Sequence, residues 1–94
     1  MVIGVLTLTL SLPGCRSLKE KRSRLKPLLA RLHKEFNVST AEVEANDVWG
    51  TAVVACALVS TASGHAQRRL AKVEAWVEGY WGDVTIVDAQ VEII

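Results

Sequence analysis

Two segments of the chain carry hydrophobic side chains on both faces of a two-residue repeat, which is the repeat of a β-strand. Residues 2–10 place apolar side chains at most even positions, and their odd positions also begin with isoleucine and valine. Residues 51–60 are apolar on both faces as well. Because strands inside a sheet are covered on two sides, both segments are predicted to be central strands.

Two other segments have the weaker patterns that are typical of strands at the edge of a sheet. Residues 38–45 place Glu42 and Glu44 on one side and small apolar side chains on the other, which predicts a half-exposed edge strand. Residues 84–94 alternate imperfectly, which indicates a fourth strand with a bulge near Asp88.

A first helix is predicted to begin at Leu18 and to end at Asn37. Ser17 and Glu20 have the spacing of a capping box, in which a hydroxyl and a carboxylate satisfy free backbone N–H groups of the first turn. Pro27 predicts a kink, or a helix that restarts, because proline removes one helical hydrogen bond. A single apolar stripe can pack on a sheet, and it consists of Leu18, Leu25, Leu29, Leu32 and Phe36.

A second helix is predicted to extend to about Tyr80, with Thr61 or Ser63 as its cap. Its predicted buried stripe consists of Ala62, Ala66, Leu70, Val73, Val77 and Tyr80. The element order is therefore βαββαβ, the ferredoxin-like α+β arrangement of a four-stranded antiparallel sheet with two helices on one face. Right-handed crossovers place the two most apolar strands at the centre of this sheet.

Length and composition predict a single domain over residues 1–94. Half of the residues are apolar, which excludes a disordered chain, and this length provides material for one core. Cys15 and Cys56 are isolated cysteines, so we expect no disulfide framework and no zinc site. We also expect no other metal and no cofactor. No apolar run approaches the roughly 20 residues of a membrane span, and no signal peptide is recognisable, so we expect a cytoplasmic protein without membrane partners.

The first predicted helix is strongly basic, although the net charge of the chain is only +1. From Arg16 to Glu35 there are eight basic residues and two acidic ones, which leaves −5 for the rest of the chain. Such a segment predicts contacts to phosphate groups, and a solvated helix face is the alternative interpretation. Arg22 falls inside the apolar stripe, where a guanidinium needs a fixed partner or must emerge at the edge of the sheet. The candidate nucleic-acid-binding residues are Arg16, Lys19, Lys21, Arg22, Arg24 and Lys26.

The predicted face of the sheet opposite the helices is aliphatic. The two central strands place on it Ile3, Val5, Val53, Ala55, Ala57 and Val59. Because none of these residues is aromatic, stacking of RNA bases on the sheet is not expected. Soluble monomers seldom expose a contiguous aliphatic patch, so we expect a homo-oligomer that forms through this face.

Trp49 and His65 are candidate partner-binding residues outside the first helix. Trp49 lies in the loop between the second and third strands, where it is either an anchor for a partner or a lid on the core. His65 lies in the first turn of the second helix beside several hydroxyl groups, where it either receives an anion or is a surface or capping residue. No catalytic motif and no metal-ligand spacing is present, so we expect a protein that is not an enzyme.

Several short motifs in the chain also carry a family resemblance. They are Gly4-Val5-Leu6, the run SLKEKR at residues 17–22, the run FNVS at residues 36–39 leading into Ala41-Glu42-Val43, and Trp49 and His65. Together they resemble the YlxP-like family of small uncharacterised bacterial proteins, over essentially the whole chain. The resemblance implies a ferredoxin-like fold and a cytoplasmic bacterial protein. Members are often encoded near translation-initiation and ribosome-maturation factors, which implies a connection to RNA or the ribosome but no catalytic residue.

The charge pattern and the resemblance together predict a non-enzymatic RNA- or ribosome-associated binding module that uses its basic first helix. The alternative hypothesis is a structural or regulatory homo-oligomer that binds a small ligand at the subunit interface. Binding to RNA that weakens steeply with salt would favour the first hypothesis, because released counterions drive such binding.

Overall fold

The secondary structure follows the predicted order of strands and helices. The computed structural model describes residues 1–94, with β1 (Val2–Ser11), α1 (Leu18–Phe36), β2 (Ser39–Glu44), β3 (Thr51–Ser60), α2 (Ser63–Tyr80) and β4 (Thr85–Ile93). All strand pairs are antiparallel, in the order β2-β3-β1-β4. The ferredoxin-like α+β fold is thereby confirmed, with β1 and β3 at the centre and a bulge in β4 beside Asp88. Neither helix combines the length and the apolar character that a membrane span requires.

The core lies between the sheet and the two helices. β1 and β3 alternate, so apart from the half-buried Val2 their even-numbered side chains are buried, and their odd-numbered ones lie on the opposite face. α2 buries Ala66, Leu70, Val73 and Val77, as predicted. The close approach of α2 to β1 depends on Gly4, because a Cβ there would lie 3.0 Å from Leu70 Cδ1.

Both ends of α1 are capped where the sequence predicts. The Glu20 N–H donates to Ser17 Oγ at 3.0 Å, and the Glu20 carboxylate accepts from the Arg16 N–H at 2.6 Å. This second hydrogen bond reaches one residue further back than in a standard capping box, and it is the main cause that lowers the pKa of Glu20. Asn37 ends the helix in the left-handed conformation, with φ of 53°. The helix continues through Pro27 as one segment, so it does not restart there.

The buried stripe of α1 is rotated relative to the predicted stripe. Its buried residues are Lys21, Leu25, Leu28 and Leu32, whereas Arg22 is exposed. At about 100° per residue the three leucines lie within roughly 40° of Lys21, so a stripe that includes Leu28 centres on the lysine. The prediction that Arg22 lies inside the stripe was therefore wrong by one residue.

A bulge in β2 changes the side on which one of its two glutamates lies. Glu42 pairs with Val54 and Glu44 pairs with Val53, with a register shift between the two pairs. Val54 lies on the helical side of the sheet and Val53 on the opposite side. The prediction that both glutamates share one side was wrong, because the extra residue of a bulge reverses the alternation.

α2 differs from the prediction at both ends. Its N-cap is Ala62, which makes no side-chain capping bond, so neither Thr61 nor Ser63 is the cap. The Ser60 hydroxyl instead accepts a hydrogen bond from the Ala62 N–H at 3.3 Å. Tyr80, which was predicted to be buried, is 78% exposed. The buried stripe is therefore confined to the central turns of the helix.

Candidate functional site

The charges of the protein are separated between its two layers. All eleven lysine and arginine residues lie in α1, in α2 or in the turn before α1, together with four glutamates. The strands and the remaining loops contain six carboxylates and no lysine or arginine. The helices and the turn before α1 thus carry +7 and the strands and remaining loops −6, so a polyanion is attracted to the helical side.

Lys21 is removed from the predicted nucleic-acid-binding set by its burial. The residue is 1% exposed, and its Nζ lies 2.6 Å from Glu42 Oε2 and donates to the Ala45 carbonyl oxygen at 2.6 Å. Glu42 Oε2 is itself buried and has no hydrogen-bond partner besides this ammonium group. The aliphatic stem of the lysine belongs to the core, and its charge is neutralised within the chain. Lys21 is therefore a structural residue that ties α1 to β2.

Arg24 is also engaged within the chain, so the prediction that it binds phosphate is corrected as well. Its Nε donates to Asp83 Oδ2 at 3.1 Å and its Nη1 donates to the Pro13 carbonyl oxygen at 2.8 Å. Its Nη2 donates to the Asp83 carbonyl oxygen. The side chain is largely buried, and it connects α1 to the loops that precede α1 and β4.

Four of the six predicted cations remain free on the surface. Arg16, Lys19, Arg22 and Lys26 are exposed and take part in none of the ion pairs of the chain. Lys19, Arg22 and Lys26 have i, i+3, i+7 spacing, which places them on one flank of α1 over about 10 Å. We call these three residues the cationic row. His33, which is exposed and seven residues beyond Lys26, continues the same flank.

The other flank of α1 contacts α2 through an aromatic cluster. The Arg31 guanidinium lies 5.5 Å from the centroid of the Trp76 ring. Phe36, Tyr80 and Trp81 surround the same ring, with centroid distances of 5.8, 6.4 and 5.7 Å. The i, i+4 spacing of Trp76 and Tyr80 was the available signal in the sequence. This flank joins the two helices, which leaves the cationic row on the outer side of α1.

A cavity of about 270 Å³ lies at the C-terminal end of α1. His33 Nδ1 donates to the Val38 carbonyl oxygen at 2.9 Å, so in the neutral ring Nε2 is an unprotonated acceptor. The lining consists of the polar residues His33, Asn37 and Ser39 and the apolar residues Ile3, Val38, Ala57, Leu58 and Val59. No local motif could have indicated this cavity, because the fold assembles it from α1, β1, β2 and β3 and the turn between α1 and β2.

Trp49 and His65 lie at opposite ends of β3 and cannot form one site. Trp49 is 52% exposed, in the loop between β2 and β3. His65 is exposed, and its Nδ1 lies 3.0 Å from the Ser60 hydroxyl oxygen at the start of α2. Partner binding by these two residues stays a prediction.

The structure shows no grouping of three or more His, Cys, Asp or Glu side chains that could hold a metal ion. Cys56 is buried in the core, and burial raises the pKa of its thiol to about 11. The Cys56 thiol therefore remains protonated at neutral pH.

Two comparisons with known proteins agree with each other. A family model described as "Protein of unknown function (DUF503)" matches residues 3–91. A protein of Bacillus subtilis (strain 168) described as "Uncharacterized protein YlxP" is 36% identical over 64 residues, which cover 68% of this chain and 70% of that protein. Neither description assigns a ligand or an activity.

Proposed function

The chain belongs to the DUF503 family of proteins of unknown function, and within that family we propose that it is a non-enzymatic, RNA- or ribosome-associated binding module. The observation that supports this proposal is the cationic row. Its members Lys19, Arg22 and Lys26 are exposed, are free of intramolecular ion pairs and lie in the layer that holds every cation of the chain.

The row is suited to phosphates rather than to bases. Long basic side chains at helical spacing contact successive phosphates, which confers affinity but little sequence preference. The choice of RNA over DNA is supported by the resemblance to the YlxP-like family, whose members are often encoded near ribosome-maturation factors. Three phosphate contacts on a single strand predict that affinity falls roughly 20-fold between 50 and 200 mM salt.

Filter binding to ribosomal RNA at these two salt concentrations tests the proposal. A variant with Lys19→Gln, Arg22→Gln and Lys26→Gln should bind more weakly, and its slope of log affinity against log salt should fall by about 2. The matched control removes three other exposed, unpaired cations, through Lys34→Gln, Arg68→Gln and Lys72→Gln. This control should keep most of the affinity. Absence of binding at low salt, or equal losses in both variants, would refute the proposal; tighter binding to DNA would refute the choice of RNA.

The face of the sheet opposite the helices, which we call the open face, supports a second candidate function. This function is a structural or regulatory homo-oligomer. Val59 is 62% exposed near the end of β3, at one end of an aliphatic surface to which Ile3, Val5, Val53 and Ala57 also contribute. A second copy of the chain would cover this surface, which soluble monomers seldom leave bare. The cavity borders it, so a small ligand bound there would lie beside the subunit interface.

Size-exclusion chromatography, with light scattering on the eluted protein, tests this second candidate function. Wild type should elute as a dimer or larger assembly, and Val59→Lys should convert it to a monomer. Val48→Lys is the control, because Val48 is 49% exposed but lies in the loop between β2 and β3. This control should leave the assembly intact. A monomeric wild type at high concentration would exclude the homo-oligomer.

A further inference from the structure

We propose that the cavity at the C-terminal end of α1 binds the heterocyclic base of a nucleotide whose phosphates lead toward the cationic row. The inference rests on the proposed function and goes beyond it, because it assigns a ligand to His33, Asn37 and Ser39. None of these three residues belongs to the basic set that the sequence predicts.

The size of the cavity restricts the ligand to a small ring system. Sites for drug-sized molecules occupy about 300–1,000 Å³. This cavity, at about 270 Å³, lies just below that range. It has room for a single base and not for a whole dinucleotide, so the sugar and the phosphate of a bound nucleotide would remain outside.

The lining matches a flat, neutral group with hydrogen-bonding edges. Ile3, Ala57 and Val59 provide an apolar wall, and no lysine, arginine or carboxylate lines the cavity. A charged ligand such as a free amino acid or a phosphate would therefore find no ion-pair partner of fixed charge among the lining residues. The lining therefore favours a neutral group in contact with the apolar wall.

Three polar groups remain available to such a ligand. The Asn37 side-chain amide, the Ser39 hydroxyl and His33 Nε2 make no hydrogen bond within the chain. An amide offers a donor and an acceptor side by side, which is the arrangement that nucleobase edges present. His33 is held by its bond to the Val38 carbonyl oxygen, so its ring is oriented before a ligand arrives.

The position of the cavity connects it to the cationic row. His33 and Lys26 are seven residues apart on α1, which corresponds to about 10 Å along the helix and a difference of roughly 20° around it. A strand whose base enters the cavity can therefore pass its phosphates along the outer flank of α1 toward Lys26 and Arg22. The cavity would select an unpaired nucleotide, and the row would bind its backbone.

The chain offers a matched pair of variants and one that leaves the fold undisturbed. Ala55 and Ala57 are both half-buried on the open face of β3, but only Ala57 lines the cavity. Ala57→Met fills the cavity, and Ala55→Met is its control. Asn37 has φ of 53°, a conformation that glycine adopts readily, so Asn37→Gly removes the amide without straining the end of α1.

Titration with the four ribonucleoside monophosphates and with a short unstructured oligoribonucleotide tests the proposal, with the His33 ring resonances as the reporter. Wild type should shift these resonances. Ala57→Met should weaken oligonucleotide binding about tenfold, Asn37→Gly should weaken it several-fold, and Ala55→Met should leave it unchanged. The salt dependence should stay the same in all three variants, because they keep the phosphate contacts.

The outcomes separate this inference from the proposed function. If the oligonucleotide binds through the cationic row but Ala57→Met matches Ala55→Met, the cavity does not hold a base and only the proposed function survives. If monophosphates bind and shift His33 but no RNA binds, the proposed function fails and a free nucleotide is the ligand of the cavity. If no probe shifts the His33 resonances, the inference is refuted.

Discussion

The ion pair between Lys21 and Glu42 makes an asymmetric prediction for the two partners. Lys21 is 1% exposed, whereas the Glu42 side chain is 19% exposed. Glu42→Ala leaves an ammonium group in the core with only the Ala45 carbonyl oxygen as its partner. Lys21→Met keeps the aliphatic volume of the stem and leaves Glu42 Oε2 without its partner, on a side chain that is 19% exposed and can turn toward water. Removal of the glutamate should therefore be the more damaging change.

The magnitudes follow from burial. Removing one partner of a buried ion pair costs about 3–5 kcal/mol, and partial exposure of Glu42 favours the lower end, about 3 kcal/mol, for Glu42→Ala. Lys21→Met should cost about 1–2 kcal/mol, for the hydrogen bond lost at the Ala45 carbonyl oxygen and for the partner lost by the partly exposed Glu42 carboxylate. The double variant should be more stable than Glu42→Ala alone, because no buried charge remains unpaired.

Urea unfolding followed by circular dichroism measures these free energies. Each kcal/mol lost from the free energy of unfolding corresponds to roughly 4–8 °C in Tm for a domain of this size. In thermal unfolding, Glu42→Ala should therefore lower Tm by about 12–24 °C. Equal or greater destabilisation by Lys21→Met would refute the reasoning about burial. Lys21→Met should also leave RNA affinity unchanged, and a loss as large as that of Arg22→Gln would show that Lys21 reaches phosphate after all.

Further predictions concern packing, thiol reactivity and acid stability. Gly4→Val should lower the free energy of unfolding by about 1–3 kcal/mol, because a Cβ there meets a methyl carbon of α2 at 3.0 Å. Gly79→Ala, where a Cβ meets nothing within 4 Å, should instead raise it by about 0.5–1 kcal/mol. Cys15 should react with iodoacetamide at pH 8 while Cys56 stays unmodified, because Cys56 is buried and its pKa is raised to about 11. Stability should fall as pH rises from about 9 to 11, since the unfolded thiol ionises first. The carboxylate of Glu20 accepts a backbone N–H and has a lowered pKa, so it stabilises the fold above pH 4.5 and loses this effect as pH falls; Glu20→Gln should flatten the acid limb of the curve.

Each of these predictions has a clear contrary result. A loss of stability in Gly79→Ala as large as that in Gly4→Val would show that helix end effects, and not close packing, decide both. Equal alkylation of the two cysteines in the folded protein would contradict the burial of Cys56. An unchanged acid limb in Glu20→Gln would show that the capping carboxylate contributes nothing to pH dependence.

Most of the fold was predictable from local pattern. The doubly apolar repeat of residues 2–10 and 51–60 predicted the central strands, because only interior strands are covered on both faces. Ser17 and Asn37 marked the ends of α1 through hydrogen-bonding and left-handed backbone preferences that act within one turn. The βαββαβ order of the elements, together with the right-handed crossover rule, then favoured the ferredoxin-like arrangement. Such signals act over a few residues, and tertiary contacts did not override them.

The candidate site was only partly predictable. The basic character of α1 was evident, but the burial or exposure of each cation was not. Lys21 and Arg22 are adjacent in sequence and differ by about 100° around the helix. A small rotation of α1 places one in the core against Glu42 and the other in water. The bulge in β2 that places Glu44 on the side of the sheet opposite Glu42 has no signature in the sequence.

The sequence by itself determined the order of elements, the strands at the centre of the sheet and the concentration of positive charge on the first helix. Only the tertiary structure decided which cations are free, that the aromatic residues join the helices, and that His33, Asn37 and Ser39 share a cavity with Val59. The physical reason is the distance along the chain over which each interaction acts. Backbone preference and hydrophobic period are set by near neighbours, whereas ion pairs and cavities depend on which distant segments the sheet brings into contact.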